Sequence, residues 1–308
     1  MSVLTASLLC LLGLTLLSFG ADSLVRSSSR LAMQLGISPL VVGLTLVAYG
    51  TSAPEIVASV VATLEGHADV AIGNVLGSNV ANLGLILGAT AILATVLVAP
   101  AVLRRELPLM VGVTLLFAVL CFRLELGRIT GLVFLGLLAG INYLSFRWAE
   151  RTGPPDIERP GGSLAMNVLW IAFGLGLLLG GAHLLVSSAV SLARSLGVPE
   201  LVIGITLVAV GTSVPELATS IVAGLRKEAD LVVGNIVGSN LFNVLGALGL
   251  SAAIRPIPVD SRLLGFELPA LVGITLLATL FLYTGRRLVR WEGIVLFAGY
   301  LGFLAVVL

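Results

Sequence analysis

The fold is decided by a stretch that occurs twice, first as GLTLVAYGTSAPEIVASVVATLEGHADVAIGNVLGSNVANLGLILG (43–88) and again as GITLVAVGTSVPELATSIVAGLRKEADLVVGNIVGSNLFNVLGALG (204–249). Twenty-four of the 46 aligned positions are identical, and they include Thr, Ser, Asn, Asp, Glu, Pro and Gly. Apolar helices match one another by chance because they draw on few residue types, whereas chance does not supply these polar identities. The chain therefore contains two related halves, and the alignment of 43 with 204 defines the offset between them.

The composition is that of a membrane protein. The chain has 308 residues, of which 58% are hydrophobic and 11% are charged, and its mean hydropathy is +1.13. A hydrocarbon core about 30 Å thick is crossed by roughly 20 helical residues. The first apolar stretch lacks the positive start of a signal peptide, so it counts as a span. Ten transmembrane helices are predicted, at 3–24, 38–64, 70–97, 107–122, 129–146, 164–190, 199–225, 230–254, 265–284 and 291–307.

The predicted fold is an all-α polytopic membrane protein whose ten helices form two inverted five-helix repeats with broken helices at the centre. The repeats occupy 1–148 and 164–308, joined by a short cytoplasmic linker at 149–163. Because each repeat holds an odd number of spans, the second must enter the membrane from the opposite face. Duplicated halves of opposite orientation are typical of secondary transporters, with the site at mid-membrane where the repeats meet.

The distribution of charge predicts the orientation of the chain and excludes some partners. Connections on one side of the predicted membrane hold twelve Lys and Arg residues, and those on the other side hold five. By the positive-inside rule the first side is cytoplasmic, which places both termini outside. The net charge of +1 predicts no nucleic-acid partner. No obligate protein partner is evident, and the natural surroundings are a lipid bilayer.

The GTSxPE motif at 50–55 and 211–216 puts proline and glutamate into apolar spans. Proline removes a backbone donor and displaces the carbonyl four residues earlier, so each motif is predicted to break its helix. The break aims carbonyls, hydroxyls and a carboxylate into one space, and such hard oxygen donors suit Na⁺ and Ca²⁺. Glu55 and Glu216 have no Lys or Arg within their spans, so we interpret them as functional acids that match the charge of one Ca²⁺.

The GNxxGSNxxN motif is the second shared element. Ser78 and Asn82 are four residues apart and therefore share a helix face, as do Ser239 and Asn243. We interpret four other asparagines as caps and interhelical bonds, two aspartates as helix N-caps and two glutamates as helix-start residues. These are Asn74, Asn79, Asn235 and Asn240; Asp69 and Asp230; and Glu106 and Glu267. His67 and His183 lack a third ligand for zinc, and Cys10 and Cys121 are interpreted as buried thiols.

The paired motifs GTSAPE…GNVLGSNVAN and GTSVPE…GNIVGSNLFN resemble the two alpha repeats of the cation/calcium antiporter superfamily, and are most similar to those of prokaryotic sodium/calcium exchangers. The resemblance spans all ten predicted helices. It implies four cation sites at the centre and exchange of three Na⁺ for one Ca²⁺.

The resemblance also implies a set of ligands, of which two act through their carbonyl oxygens. These are Ala48 (carbonyl), Thr51, Ser52, Glu55, Ser78 and Asn82 in the first half, and Ala209 (carbonyl), Thr212, Ser213, Glu216, Ser239 and Asn243 in the second. Family members commonly carry an aspartate at one of the two central positions, where this chain has Asn82 and Asn243. The missing carboxylate lowers the negative charge of the site, which bears on stoichiometry and Ca²⁺ affinity.

The function predicted from the sequence is antiport of Na⁺ against Ca²⁺ by alternating access, with export of Ca²⁺ across a prokaryotic plasma (inner) membrane. Neither an enzymatic activity nor a cofactor is expected. A proton/calcium antiporter of the same superfamily remains an alternative, because protons compete for buried carboxylates. From other classes, a channel would conduct without a counter-ion, and an intramembrane hydrolase would need GxSxG, HExxH or paired catalytic aspartates in spans, which the chain lacks.

Overall fold

The structure is a computed structural model that describes residues 3–152, 163–198 and 211–307. Seven helices in these ranges are long and apolar enough to cross a membrane, and a bent pair of helices is an eighth crossing if taken as one span. The protein is therefore a helical integral membrane protein, as predicted.

The elements of the first half are α1 (Val3–Leu35), α2 (Pro39–Thr51), α3 (Ala53–Glu65), α4 (68–93), β1 (Val96–Leu97), α5 (Pro100–Arg104), α6 (Glu106–Cys121), β2 (Glu125–Leu126) and α7 (Arg128–Thr152). Those described in the second half are α8 (Leu164–Ser195), α9 (Val214–Leu225), α10 (Ala229–Ile254), β3 (Ile257–Pro258), a 3₁₀ turn (Ser261–Leu264), α11 (Glu267–Gly285), β4 (Arg287–Leu288) and α12 (Arg290–Val307). The predicted span 107–122 corresponds to α6, which has 16 residues. The first twelve residues of the predicted span 199–225 lie outside the described ranges.

Some helix ends differ from the prediction. Helix α1 continues past 24 to Leu35, because Val25, Ser28 and Ala32 keep one face of the helix buried in the protein. Helix α7 continues to Thr152, so the first four positions of the predicted linker are helical. These extensions follow from packing and from turns beyond the membrane, which a count of apolar residues does not detect.

Four acidic residues were predicted at the beginnings of helices, and the structure confirms this prediction in part. Glu106 and Glu267 begin α6 and α11, where a negative charge is favoured by the helix dipole. The prediction that Asp69 and Asp230 are N-caps is wrong. Their helices begin one residue earlier, so both aspartates lie within the first turn, where the same dipole favours them.

The two cysteines differ in burial. Both are free thiols, and Cys121 at the end of α6 is buried, as predicted. Cys10 in α1 is only half-buried, so the prediction is wrong there. Its neighbours Leu8 and Leu11 are exposed, because this part of α1 lies at the surface of the protein, where lipid takes the place of packed side chains.

The GTSxPE motif breaks the first repeat where the sequence predicts it. Helices α2 and α3 meet at an angle of 47° around Ser52, whose φ of −84° and ψ of 4° lie outside the helical region. Pro54 stands in the first turn of α3, where its missing N–H costs nothing. Ser213 has nearly the same backbone angles, φ −88° and ψ 3°, and α9 begins immediately after it.

The second motif is irregular in another way. Helix α4 contains a π-helical turn at Asn82–Ile86, and α10 contains one at Asn243–Leu248. Each π turn begins at the last asparagine of GNxxGSNxxN. Such turns are rare and are found frequently at functional sites.

The short strands relate the two halves by an approximate two-fold symmetry. Strand β1 pairs antiparallel with β4, and β2 pairs antiparallel with β3. The repeat converts one pair into the other: Val96 of β1 corresponds to Ile257 of β3, and, with one extra residue in the second half, Glu125 of β2 corresponds to Arg287 of β4. The described chain is thus not purely helical. Each of the two ribbons joins one repeat to the other.

Helices α1 and α8 form a closely packed pair. A side chain added at Gly20 would lie 2.8 Å from the backbone oxygen of Gly174, and one added at Gly13 would lie 3.0 Å from the oxygen of Gly181. Only glycine allows two helix backbones to approach so closely. The pairing of 13 with 181 and 20 with 174 makes the two helices antiparallel, and their glycines are equivalent under the repeat.

Candidate cation-binding site

The two motif glutamates lie at equivalent places in the two halves. Glu55 is in the first turn of α3 and Glu216 is in the first turn of α9, each next to the proline that starts the helix. Their exposed fractions are 1% and 2%. The positive end of a helix dipole faces each carboxylate and favours its negative charge.

The two acids are held by each other's repeat. The hydroxyl of Ser213 donates a hydrogen bond of 3.2 Å to Oε1 of Glu55, and the hydroxyl of Ser52 donates one of 2.8 Å to Oε1 of Glu216. The glutamates of the two repeats therefore meet at one centre.

The threonines of the motif flank this centre. Thr51 is fully buried, and its hydroxyl lies 3.1 Å from the backbone oxygen of Val47 and 3.3 Å from Oδ1 of Asn235. The hydroxyl of Thr212 is buried and has no hydrogen-bond partner among the described residues. The backbone oxygen of Ala48 accepts a hydrogen bond of 2.9 Å from the N–H of Ser52, and the hydroxyl of Thr51 lies 3.4 Å from the same oxygen. Ala209, its predicted counterpart, lies outside the described residues.

The second motif places serines and asparagines in the same core. Ser78, Asn82 and Ser239 are buried, and the Ser239 hydroxyl has no partner in the described part of the chain. The amide of Asn243 donates to Oδ1 of Asn79 at 3.0 Å, which leaves its own Oδ1 buried and without a partner there. The Asn243 side chain is thus fixed by its nitrogen, and its oxygen remains free for a ligand.

Three of the other four motif asparagines, Asn74, Asn79 and Asn235, bond to another helix, as predicted, whereas the amide of Asn240 donates to the backbone oxygen of Ile236 in its own helix. Asn74 donates to the backbone oxygen of Glu55 at 3.1 Å and to the Ser59 hydroxyl at 3.0 Å, so it holds the broken end of α3. Asn235 donates to the Ser220 hydroxyl at 3.1 Å. Sequence reasoning missed both serines. The signal was present, because Ser59 and Ser220 occupy the same position of the two repeats and are identical.

The buried oxygens without partners form the strongest chemical signature of the site. Five motif atoms have none among the described residues, namely Oε2 of Glu55, Oε2 of Glu216, Oγ1 of Thr212, Oγ of Ser239 and Oδ1 of Asn243. Buried polar atoms are rarely left unpaired, because desolvation costs about 1–3 kcal/mol each. Among the described residues, no three His, Cys, Asp or Glu side chains lie together in a group that could hold a metal ion. The set consists of hard oxygens, which suits Na⁺ and Ca²⁺ and not soft metals.

A cavity of about 470 Å³ leads to this centre from one side of the protein. Helix α8 lines it with four side chains, helix α3 with its first turns, and the second copy of GTSxPE with Thr212 and Pro215. Helix α1, the repeat equivalent of α8, instead packs along α9. The packing on the two sides therefore differs: α1 lies along α9, whereas the cavity lies between α8 and α3.

Two related halves, a helix broken at Ser52 in the first, the same backbone angles at Ser213 in the second, and two buried acids that meet between them are typical of a secondary transporter. A sequence model of the family described as "Sodium/calcium exchanger protein" matches residues 5–147 and again 166–308. The chain belongs to this family, within the cation/calcium antiporter superfamily.

Individual relatives agree with this assignment. The chain is 40% identical to "Putative antiporter CaxA" of Alkalimonas amylolytica, with 98% of both chains covered. It is 37% identical to "Inner membrane protein YrbG" of Escherichia coli, covering 99% of this chain and 97% of that protein. A solved structure of the sodium-calcium exchanger NCX_Mj, soaked with zero Na⁺ and Ca²⁺, matches with a TM-score of 0.87 at 32% identity over 100% of both chains.

Proposed function

We propose that this protein exchanges Na⁺ for Ca²⁺ by alternating access and exports Ca²⁺. The observation that carries the proposal is the reciprocal pairing of Ser213 with Glu55 and Ser52 with Glu216, which leaves a second oxygen of each carboxylate without a partner among the described residues. Two carboxylates balance the charge of one Ca²⁺, and the neutral oxygens around them supply further ligands. The sodium–calcium exchanger named among the structural matches supports Na⁺ as the counter-ion.

The proposed ligands are drawn equally from the two repeats. They are Glu55, Thr51, Ser52, Ala48 (carbonyl), Ser78 and Asn82, with Glu216, Thr212, Ser213, Ala209 (carbonyl), Ser239 and Asn243. Glu55 and Glu216 hold Ca²⁺ in one step and Na⁺ in the other. Since both ions need the same two carboxylates, they exclude each other, which couples their movements.

The charge of the site explains why an ion is required for the conformational change. Two carboxylates without a cation carry two negative charges at a centre that is closed to water during the crossing. An uncompensated buried charge costs several kcal/mol, so the empty site does not cross. With its ions bound, the site is neutralised, and helices of the two repeats (1–148 and 164–308, joined by 149–163) can slide past this centre.

We also infer the sidedness of the protein. Twelve of the seventeen Lys and Arg residues lie in connections assigned to the cytoplasm, which supports a topology with both termini outside. The name of the Escherichia coli relative supports a location in the inner membrane of a prokaryote. In a cell that is negative inside, each net charge moved contributes about 2.3 kcal/mol per 100 mV.

Flux measurements in proteoliposomes test the function. Vesicles loaded with Na⁺ and diluted into Na⁺-free medium with ⁴⁵Ca²⁺ are expected to accumulate the tracer, whereas vesicles loaded with K⁺ or choline are not. Uptake driven by a proton gradient without Na⁺ would instead identify a proton/calcium antiporter. Uptake with no counter-ion gradient at all would identify a channel.

Substitution of Asn243 tests the ligand set. Asn243→Asp adds a negative charge where an amide oxygen has no partner among the described residues, and is expected to lower the half-saturating Ca²⁺ concentration about tenfold. That is a fraction of the ~4 kcal/mol that two unit charges 4 Å apart gain at an effective dielectric of 20.

Asn243→Ala is the matched control, because it removes the oxygen without adding charge. It is expected to raise the half-saturating Ca²⁺ concentration. Both values come from ⁴⁵Ca²⁺ uptake at increasing Ca²⁺. If neither variant changed the affinity for Ca²⁺, Asn243 would not belong to the ion site.

A further inference from the structure

An ion pair joins the α1/α8 pair to the end of α9. Nε of Arg226, the residue that caps α9, lies 2.6 Å from Oδ1 of Asp22 on α1, and a second guanidinium nitrogen contacts the same oxygen. The other carboxylate oxygen of Asp22 lies 3.0 Å from Nε of Arg26. Both side chains of the pair are 33% exposed, and Arg226 lies in a connection that the sequence places on the cytoplasmic side. The ion site does not involve it.

The internal repeat assigns this ion pair a counterpart. The offset that aligns 43 with 204 carries Asp22 onto His183 of α8, and it carries Glu65, the last residue of α3, onto Arg226. The acid of the first pair is on α1 and the acid of the second is on α3, so acid and base have changed places. Each combination can nevertheless form a polar pair between equivalent helices. His183 and Glu65 are both exposed and make no ion pair among the described residues.

The two positions differ in the packing around them. At Asp22, α1 packs along α9 and the pair is formed. At His183, the cavity of about 470 Å³ lies between α8 and α3, and His183 is part of its wall. The pair is thus present where α1 packs along α9, and its counterpart is not formed where the cavity lies between α8 and α3.

The α1/α8 contact links the two positions mechanically. A Cβ at Gly20 or Gly174 would come within 3.0 Å of the partner helix backbone, so the two helices are in direct contact and are expected to move as one body. Because residue 20 lies opposite 174, Asp22 and His183 are about eleven residues apart along this body, or ~16 Å. Their partners, Arg226 and Glu65, are at the ends of the two helices that carry the acids of the ion site.

We propose that Asp22–Arg226 and Glu65–His183 are reciprocal latches, one formed in each of the two access states. In the structure the first latch is closed and the second is open. In the other access state the two repeats have exchanged conformations. Helix α8 then packs on α3, which brings His183 to Glu65. Helix α1 is withdrawn from α9, which separates Asp22 from Arg226. The proposal rests on the alternating-access part of the proposed function and does not depend on which ions are exchanged.

Each latch shifts the balance between the states by a small factor. Ion pairs with this exposure contribute little because water and salt screen them, and a change of about threefold in the population ratio is expected when one is removed. Asp22→Asn therefore favours the state with the cavity closed, and Glu65→Gln favours the state in which it is open.

Paired cysteines test the reciprocity in proteoliposomes. In a background with Cys10→Ser and Cys121→Ala, one protein carries Asp22→Cys with Arg226→Cys and another carries Glu65→Cys with His183→Cys. Disulfide yield is measured with a mild oxidant in Na⁺, in Ca²⁺ and without either ion. Conditions that raise the yield of one pair are expected to lower that of the other. Yields that rise and fall together, or a second pair that never cross-links, would overturn the proposal.

The rate at which a cysteine in the cavity reacts with a maleimide gives an independent measurement, in proteins that carry no engineered disulfide. Val186→Cys places a thiol on the cavity wall, and its rate of reaction with a membrane-impermeant maleimide reports how often the cavity is open. Asp22→Asn is expected to lower this rate about threefold, and Glu65→Gln to raise it. Glu125→Gln, at an exposed acid outside both latches, is the matched control and should leave it unchanged. Equal rates in all three would contradict the latches.

The outcomes separate the latches from the function. Reciprocal cross-linking in a protein whose Ca²⁺ flux ignores Na⁺ would support the latches and reject the proposed counter-ion. Na⁺-driven Ca²⁺ flux with yields that change in parallel would support the function and reject the latches.

Discussion

Glu216→Gln is expected to reduce Na⁺-driven ⁴⁵Ca²⁺ uptake by at least about 100-fold, and Glu55→Gln is expected to do the same. Each substitution keeps the size of the side chain and removes one of the two negative charges that face the ion. Breaking a buried ion pair by removing one partner costs about 3–5 kcal/mol, and 1.4 kcal/mol corresponds to tenfold. The loss is expected in the affinity for Ca²⁺ and in the rate of exchange, because both ions use these carboxylates.

The control for this experiment is an acid outside the membrane core. Glu125 lies in the short strand β2 and is exposed, so Glu125→Gln should transport normally. The variants are compared at equal amounts of reconstituted protein. Uptake that persisted in either Glu55→Gln or Glu216→Gln would remove the basis for the proposed site.

Gly131→Ala is expected to have the largest effect on stability. A Cβ at this position would lie 2.4 Å from the backbone nitrogen of Ala253 and 2.6 Å from the backbone oxygen of Gly249. Backbone atoms cannot rotate away as a side chain does, so α7 and α10 must separate. Overpacking costs typically about 1–3 kcal/mol, and occasionally more, so an apparent unfolding temperature lower by several degrees is expected in detergent.

The same helix offers matched controls. A Cβ at Gly136 or at Gly140 would meet no atom within 4 Å. Gly136→Ala and Gly140→Ala should therefore unfold at or slightly above the temperature of the unchanged protein, because alanine favours a helix by about 1 kcal/mol over glycine. If Gly131→Ala unfolded at the same temperature as these two variants, α7 would not contact α10 as described.

Local chemistry made several features predictable from the sequence. Pro54 and Pro215 cannot continue a helix, so the breaks beside Ser52 and Ser213 follow from the motif itself. Glu106 begins a helix for an equally local reason. In contrast, the end of α1 at Leu35 depends on the neighbours that bury its face, and it was missed because those neighbours are distant in sequence.

The sequence predicted candidate residues for the site but not the contacts between them. The repeat identified both glutamates and their serines, but the sequence offered no evidence that Ser213 would donate to Glu55 and Ser52 to Glu216. The same holds for Asn243, whose nitrogen is fixed by Asn79 of the other repeat so that its oxygen faces away. A hydrogen bond between residues so far apart in the chain is set by how the two halves pack, and each half alone contains only one member of each pair.

The sequence by itself determined that this chain crosses a membrane, that it consists of two related halves, and that each half carries a helix break with one acid. Hydrophobic length, duplication and the backbone limits of proline are properties of short segments, so they can be read locally. Only the tertiary structure decided which serine each acid pairs with, and that Asp22 pairs with Arg226 while His183 lines a cavity. The two halves have nearly the same local sequence but pack differently. The difference lies in the contacts between helices, which the sequence of either half alone does not specify.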